Sequence, residues 1–264
     1  MLEDVTGYPT GAASRVYSAF AYLAFAVTAT WAIAFLADLR IVPVIDDSPE
    51  GPAWLAVLVD SALLLVFALQ HSVMARAGVK RRIAPVVPAA LERSTYLLST
   101  SLCLGLMFWQ WRGLPGSIWR VDAQPWIALL WGICAVGWVI ALSSTFMIDH
   151  LDFVGLRQGG WARRGRYTSP SFAERWMYAW LRHPMMLGLL VAFWTTPSMT
   201  TGHLLFAVAA SAYIAVGVRF EERDLHRQLG DVYGEYARRV PRFVPRHPRS
   251  AHAVPRSEKK VGLS

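Results

Sequence analysis

The chain has 264 residues, of which 55% are hydrophobic, 12% aromatic and 17% charged, with a formal net charge of +8. A soluble domain carries about a quarter charged residues, and here the deficit is concentrated in long apolar runs, which argues against a soluble globule and for a membrane protein. Cys103 and Cys134 both lie inside apolar runs and make neither a zinc spacing nor a disulfide framework, so they read as small buried hydrophobes.

The opening "MLEDVTGYPTGAAS" is acidic and lacks a basic n-region, so the first apolar run is expected to stay as an anchor. Residues 16–37 and 126–148 contain no charge at all, and each is long enough to cross a hydrocarbon core of about 30 Å. Residues 53–70 carry one acid, Asp60, which is expected to bond within the bundle. Residues 94–111 are uncharged and end in "FWQW", as suits a helix meeting an interface. These four runs predict four spans. Residues 185–198 and 203–218 are shorter and are separated by "TPSMTTG", a Pro- and Gly-punctuated turn that predicts a helical hairpin. The stretch "EERDLHRQLGDVYGEYARRV" predicts a surface helix interrupted near Gly230, with Leu225, Leu229, Val232, Tyr233 and Tyr236 facing inward. From His247 onward the chain is rich in Pro, Ser and charge and is expected to be a disordered tail.

Loop charges set the expected topology. Residues 41–52 hold Asp46, Asp47 and Glu50 and no Lys or Arg, whereas Arg76, Lys80, Arg81, Arg82 and Arg93 lie between the second and third spans. Arg157, Arg163, Arg164, Arg166, Arg175 and Arg182 follow the fourth. The positive-inside rule then puts both termini and everything after the fourth span, apart from the hairpin, on the cytoplasmic side. The basic balance is an orientation signal; no nucleic-acid reading motif accompanies it. The fold class is therefore all-α and polytopic: a four-span bundle over 1–148, then a region over 149–246 with hairpin 184–219 and a cytosolic helical segment, then a tail over 247–264.

Four polar clusters fall on one membrane face: His71 at the inner end of the second span, "MIDHLDFVGLRQ" after the fourth, "YAWLRHP" opening the hairpin and "FEERDL" closing it. Ionisable groups near membrane depth are costly unless they pair or bind something. Arg182 and His183 offer donors suited to a carboxylate, and Glu221 and Glu222 offer acceptors suited to an ammonium. A ligand carrying both charges, such as an amino-acid moiety, satisfies both. The simpler alternative is that Arg182 pairs with Glu221 or Glu222 and staples the two ends of the hairpin. Neither a G-x-G-x-x-G nor a phosphate-loop pattern is present. His71 and His150 lack zincin spacing, so no metal is expected. His203 and His226 read as an interface residue and a solvated one.

"RHPMMLG" followed by "EERDL", "LGDVYGEY" and "VPRFVP" resembles the signature of the isoprenylcysteine carboxyl methyltransferase superfamily, membrane enzymes that use S-adenosylmethionine without a Rossmann domain. Within it the chain resembles the bacterial methanethiol S-methyltransferases over nearly its full length, including "QHSVMAR", "RSTYLL" and "STFMIDHLDFVGLRQ". It departs from the superfamily pattern at Met186, where tyrosine is usual, and at Leu229, where phenylalanine is usual. The resemblance implies methyl transfer from S-adenosylmethionine to a small thiol, methanethiol, in a bacterial cytoplasmic membrane. It implies that Arg182, His183 and Glu221 or Glu222 hold the polar ends of the cofactor, with Arg239 and Arg242 adding carboxylate contacts. Tyr178, Tyr233 and Tyr236 would wall the adenosine, and Gly188 would admit close backbone approach, unless it serves a helix–helix contact. Because the thiolate is the nucleophile, a base is needed, and Asp149, His150, Asp152 and His71 are the candidates. Capping or pairing with Arg157 is the alternative role for Asp149 and Asp152. The hairpin walls with Met185, Phe193 and Trp194 would admit the apolar thiol. The alternatives are a related methyltransferase acting on an isoprenylcysteine or other lipid-like substrate, and a non-catalytic membrane scaffold or carrier.

Overall fold

A computed structural model of the chain describes residues 11–47, 51–161 and 176–244. The expected tail and the arginines at 163, 164, 166 and 175 lie outside the described residues. In chain order the elements are α1 (Ala12–Leu36), α2 (Ala53–Met74), α3 (Ala77–Ile83), α4 (Glu92–Gln110), β1 (Ser117–Arg120), α5 (Gln124–Ile148), α6 (His150–Phe153), α7 (Pro184–Trp194), β2 (Ser198–Thr200), α8 (Thr201–Leu229) and α9 (Asp231–Arg239). Short 3-10 turns at Ala89–Leu91 and Trp176–Ala179 lead into α4 and towards α7.

Four helices are long and apolar enough to cross a membrane: α1, α2, α5 and α8. The outward faces of these helices carry Phe20, Leu23 and Val27, Leu58, Leu65 and Leu69, and Val136 and Val139, all well exposed. Such a belt of large apolar side chains is what a lipid-facing surface requires, and helices satisfy every backbone group internally. The protein is a helical, multi-pass membrane protein.

Three of the four long apolar helices are expected spans. The fourth expected span, 94–111, forms α4, a shorter helix of 19 residues packed against α1 and α2. Its polar residues explain its place. The Tyr17 hydroxyl and Thr95 Oγ1 are 3.0 Å apart, and Ser94 and Ser101 are buried. The larger departure is at α8. Polar residues 219–229 do not start a separate surface helix but continue the membrane helix unbroken for 29 residues, about 43 Å at about 1.5 Å per residue. The break does come at Gly230, whose φ of 55° suits a residue without Cβ. Leu225, Leu229, Tyr233 and Tyr236 pack together as expected, whereas Val232 is 61% exposed.

The hairpin tip was expected as a plain turn, yet it carries a strand. β2 pairs antiparallel with β1, with Trp119 opposite Met199, and the Val121 N–H donates to the Pro197 carbonyl at 2.9 Å. The Thr200 hydroxyl donates to the Asp46 carboxylate. These bonds gather the loops after α1, α4 and α7 at one end of the bundle. His203 is buried there, its Nε2 2.9 Å from the Phe193 carbonyl, rather than at an interface. The core beside it is aromatic, with Phe35 stacked on Phe108 at 4.7 Å and Phe193 edge-on to Phe206 at 5.2 Å. As expected, Asp60 bonds within the bundle, accepting from the Arg112 N–H at 2.9 Å. Both cysteines are free.

Candidate functional site

The opposite end collects the charge. Pro184 takes the first position of α7, where its fixed φ and missing N–H are harmless, and this leaves Arg182 and His183 just before the helix. Their backbone N–H groups donate to the carbonyls of Pro241 (3.0 Å) and Arg242 (3.3 Å). The segment after α9 is thereby laid beside them, which carries Arg242 into the cluster.

Glu222 is the focus, only 4% exposed at the polar end of α8. Its Oε1 lies 2.7 Å from Arg182 Nη1 and 3.2 Å from His183 Nε2, and its Oε2 accepts from Arg242 Nε at 2.8 Å. Ionised donors make such bonds roughly twice as strong as neutral ones, and the bond to Glu222 holds the Arg242 guanidinium still more firmly protonated. Glu221 behaves differently. Its side chain is 52% exposed, and its nearest cationic partner among the described residues is His183 Nδ1 at 3.6 Å. The imidazole of His183 thus stands between two carboxylates.

Tyrosines close the cluster. Tyr233 is buried, and burial pushes its phenol up against the opposing pull of the Arg182 charge. Tyr236 donates to the Tyr178 carbonyl at 2.8 Å. The phenol of Tyr178 is raised by burial and by the Glu221 charge, against the opposing influence of the nearby Ser144 side chain of α5. Arg239 ends α9 on the exposed side. The expected staple is therefore present as Arg182–Glu222, but it is one strand of a larger net that also holds His183, Arg242, Glu221 and Tyr178. An open apolar cleft of about 480 Å³ adjoins it, lined by Met147, Trp176, Met177, Trp180 and Leu181.

Three features leave the net able to take a zwitterion. Arg182 Nε is buried with no hydrogen-bond partner among the described residues. Half of the Arg242 side chain is exposed, and so is half of Glu221. A carboxylate fits the first two and an ammonium the third.

Gly188 lies elsewhere. A Cβ there would stand 2.5 Å from the Gly137 carbonyl and 2.6 Å from the Ala141 nitrogen of α5, so its bareness serves a close helix–helix approach. Phe193 is buried in the aromatic core, Met185 is half-buried, and the Trp194 indole N–H donates to Ser211 Oγ at 2.9 Å. These three spread along α7 and do not line one described cavity.

The four base candidates divide between two places. Asp149 caps α6, accepting from the Asp152 N–H at 3.1 Å, and pairs with Arg157. Asp152 is buried, bound to Arg93 at 3.0 Å and to Gln158 at 2.7 Å. His150 stacks on Phe146, with Nδ1 2.9 Å from Thr145 Oγ1 and Nε2 3.2 Å from the Tyr22 hydroxyl. Burial lowers its pKa against the opposing pull of Asp149. His71 sits apart between α2 and α4, its Nε2 2.8 Å from the Tyr96 hydroxyl and Nδ1 3.3 Å from Thr100 Oγ1, among the rings of Phe67 and Tyr213. Ser144, Thr145, Tyr22 and Arg93 were not foreseen at these clusters. The polar triplet 143–145, inside an otherwise apolar run, was the available signal for the first two.

The family model for NnrU protein matches residues 60–240. A methanethiol S-methyltransferase of Mycobacterium tuberculosis is 48% identical, over 87% of this chain and 95% of that protein. One from a Pseudomonas strain is 44% identical, over 89% and 90%. Nurim of Xenopus laevis is 32% identical over 63% of this chain and 61% of its own length. No solved structure matches. The expected resemblance to the methanethiol S-methyltransferases thus holds over most of the sequence. The chain belongs to the NnrU protein family and is a relative of the methanethiol S-methyltransferases.

Proposed function

We propose that the protein methylates methanethiol from S-adenosylmethionine, at the boundary between the bacterial cytoplasmic membrane and the cytosol. Held by the residues of the net, S-adenosylmethionine would supply an electrophilic methyl to the thiolate sulfur and leave as S-adenosylhomocysteine, the thiol proton going to a base of the chain. The relatives' name supports the reaction, and the paired polarity of the Arg182–Glu222 net supports the zwitterionic donor. That net is the observation on which the reading rests.

In this reading Arg182 and Arg242 bind a carboxylate, Glu221 takes an ammonium, and Glu222 keeps the two guanidiniums in place. Tyr178 sets the net beside Ser144 of α5. His150 is the proton acceptor: Asp149 and Asp152 are held by Arg157 and Arg93, whereas the ring nitrogens of His150 meet the uncharged hydroxyls of Thr145 and Tyr22. A proton taken there is shared with Tyr22 or Thr145. Residues 149–246 form the cofactor-binding region and the preceding helices the membrane bundle, with both termini cytoplasmic. The apolar thiol enters from the lipid side past α7.

The test is headspace gas chromatography of cells that express the chain and are fed methanethiol. Wild type should release dimethyl sulfide, and His183→Ala at least about 100-fold less, the scale expected when reactants are misplaced by about 1 Å. Purified protein should melt higher in S-adenosylmethionine, in proportion to ligand occupancy. Membrane-inserted wild type that yields no more dimethyl sulfide than an empty vector would overturn the reading.

A further inference from the structure

Two guanidiniums converge on one phenyl ring outside the net. Arg76 follows the last turn of α2 and stands 4.8 Å from the centroid of Phe220; Arg223, one turn further along α8, stands 5.8 Å from it. Cation–ring attraction accounts for each contact taken singly. It does not account for two like charges drawn to one ring, because neither makes an ion pair among the described residues. The nearby acids are turned elsewhere: Asp224 pairs with Arg227, Glu222 with Arg182 and Arg242, and the nearest cationic partner of Glu221 among the described residues is His183. An anion is the missing element.

Position says which anion. α2 carries no Lys or Arg before Arg76, and α8 none before Arg219, so both guanidiniums stand where two membrane helices leave the apolar layer. That level is where lipid phosphates lie, and arginines extend towards it from an apolar stem. Below them both helices expose apolar side chains. Leu69, in the last two turns of α2, is 54% exposed; Val216 lies one turn before Phe220 on α8 and is 47% exposed. Beside Val216, a Cβ at Gly217 would meet nothing within 4 Å. The two helices touch here, with Ser72 Oγ and the Tyr213 hydroxyl 3.1 Å apart.

We propose that Arg76 and Arg223, joined over Phe220, bind the phosphate of an anionic glycerophospholipid whose acyl chain lies along the exposed apolar side chains of α2 and α8. The planar guanidinium suits the phosphate better than an ammonium does, and the lipid ties α2 to α8 next to the catalytic end.

The experiment uses the full chain, delipidated in neutral detergent. Phosphatidylglycerol, phosphatidylcholine and free glycerol 3-phosphate are each added, and retention is read by native mass spectrometry with melting temperature alongside. Phosphatidylglycerol should be retained at least about tenfold more than phosphatidylcholine. Arg76→Gln with Arg223→Gln should abolish that preference, whereas Arg227→Gln, a neighbouring arginine of α8 with its own acid, should keep it. If the double variant does not fold, Phe220→Leu serves, since it removes the ring that gathers the pair and should halve the preference or more. Equal retention of the two lipids, or unchanged preference in the variants, would refute the site. Retention of glycerol 3-phosphate at the same level would make it a soluble phosphate-ester site and refute the lipid.

Discussion

Glu222 and Glu221 are adjacent carboxylates with opposite expected roles, and replacing each by glutamine separates them. Glu222 is nearly inaccessible and faces Arg182, whose side chain is 10% exposed. Glu222→Gln keeps the volume and one acceptor but leaves the Arg182 guanidinium buried without its counter-charge. Breaking a buried pair by removing one partner costs about 3–5 kcal/mol. The Arg242 contact adds little, because that side chain is half exposed and recovers water. Taking about 3 kcal/mol and about 2–4 °C per kcal/mol for a chain of this size gives a melting temperature lower by about 6–12 °C. Glu221→Gln loses only a 3.6 Å contact from a half-exposed group and should cost under about 1 kcal/mol, so its melt should move by no more than about 4 °C. Its effect should appear as weaker stabilisation by S-adenosylmethionine. Differential scanning fluorimetry in detergent measures all of this. If Glu222→Gln melts within about 2 °C of wild type, or if Glu221→Gln melts as low as Glu222→Gln, the separation between a keystone and a ligand-facing acid is wrong.

Gly188→Val should lower the melting temperature by at least about 5 °C, because the atoms it would strike are backbone of α5, whereas Gly217→Ala should be neutral or slightly stabilising in the same assay. His150 supplies a pH dependence. Burial depresses its folded-state pKa below the ordinary 6.5, so the unfolded chain binds the proton more readily. Stability is therefore full above pH about 6.5 and falls as pH drops through that value towards the folded pKa; a melting curve of His150→Gln taken against pH should lose this component. Tyr178→Phe, which removes the hydroxyl on which the Glu221 charge acts, should reduce dimethyl sulfide formation by about tenfold while leaving the helical signal in circular dichroism unchanged.

How much was legible follows the physics of each signal. Uncharged runs located α1, α2 and α5 because exclusion of charge from lipid is a strong rule. α4 was also found, but the same rule could not say that its serines and threonines would turn inward against α1 and α2. The end of α8 was misplaced for a related reason. A polar sequence was taken to leave the membrane helix, whereas nothing in residues 219–229 breaks a helix before Gly230, and charge alone does not end one. β1 and β2 were invisible, since strands of 4 and 3 residues have too little periodicity to read and pair across 78 or more positions of sequence. At the site, the charges of Arg182, His183 and Glu222 could be foreseen to meet, because the hairpin returns its two ends to one face. Which acid Arg182 would choose could not be foreseen, as it depends on the rotation of α8 about its axis. Arg242 came from resemblance, and its arrival depends on backbone bonds from Arg182 and His183 that leave no trace in side-chain pattern.

The clasp of β1 with β2 sets where this molecule can yield. At that pole the helical pair α7–α8 is fastened by main-chain bonds and by Thr200 on Asp46, and midway it is keyed to α5 by two bare glycines nested back to back. Neither joint slides without losing contacts that water cannot replace. The charged pole joins Arg182–His183 to Glu221–Glu222 through side chains and to the segment after α9 through the backbone bonds to Pro241 and Arg242. With both poles tied by main-chain bonds, what the net offers to the outside is the half-exposed Arg242 and Glu221, while the Arg182–Glu222 pair beneath them forms a fixed floor.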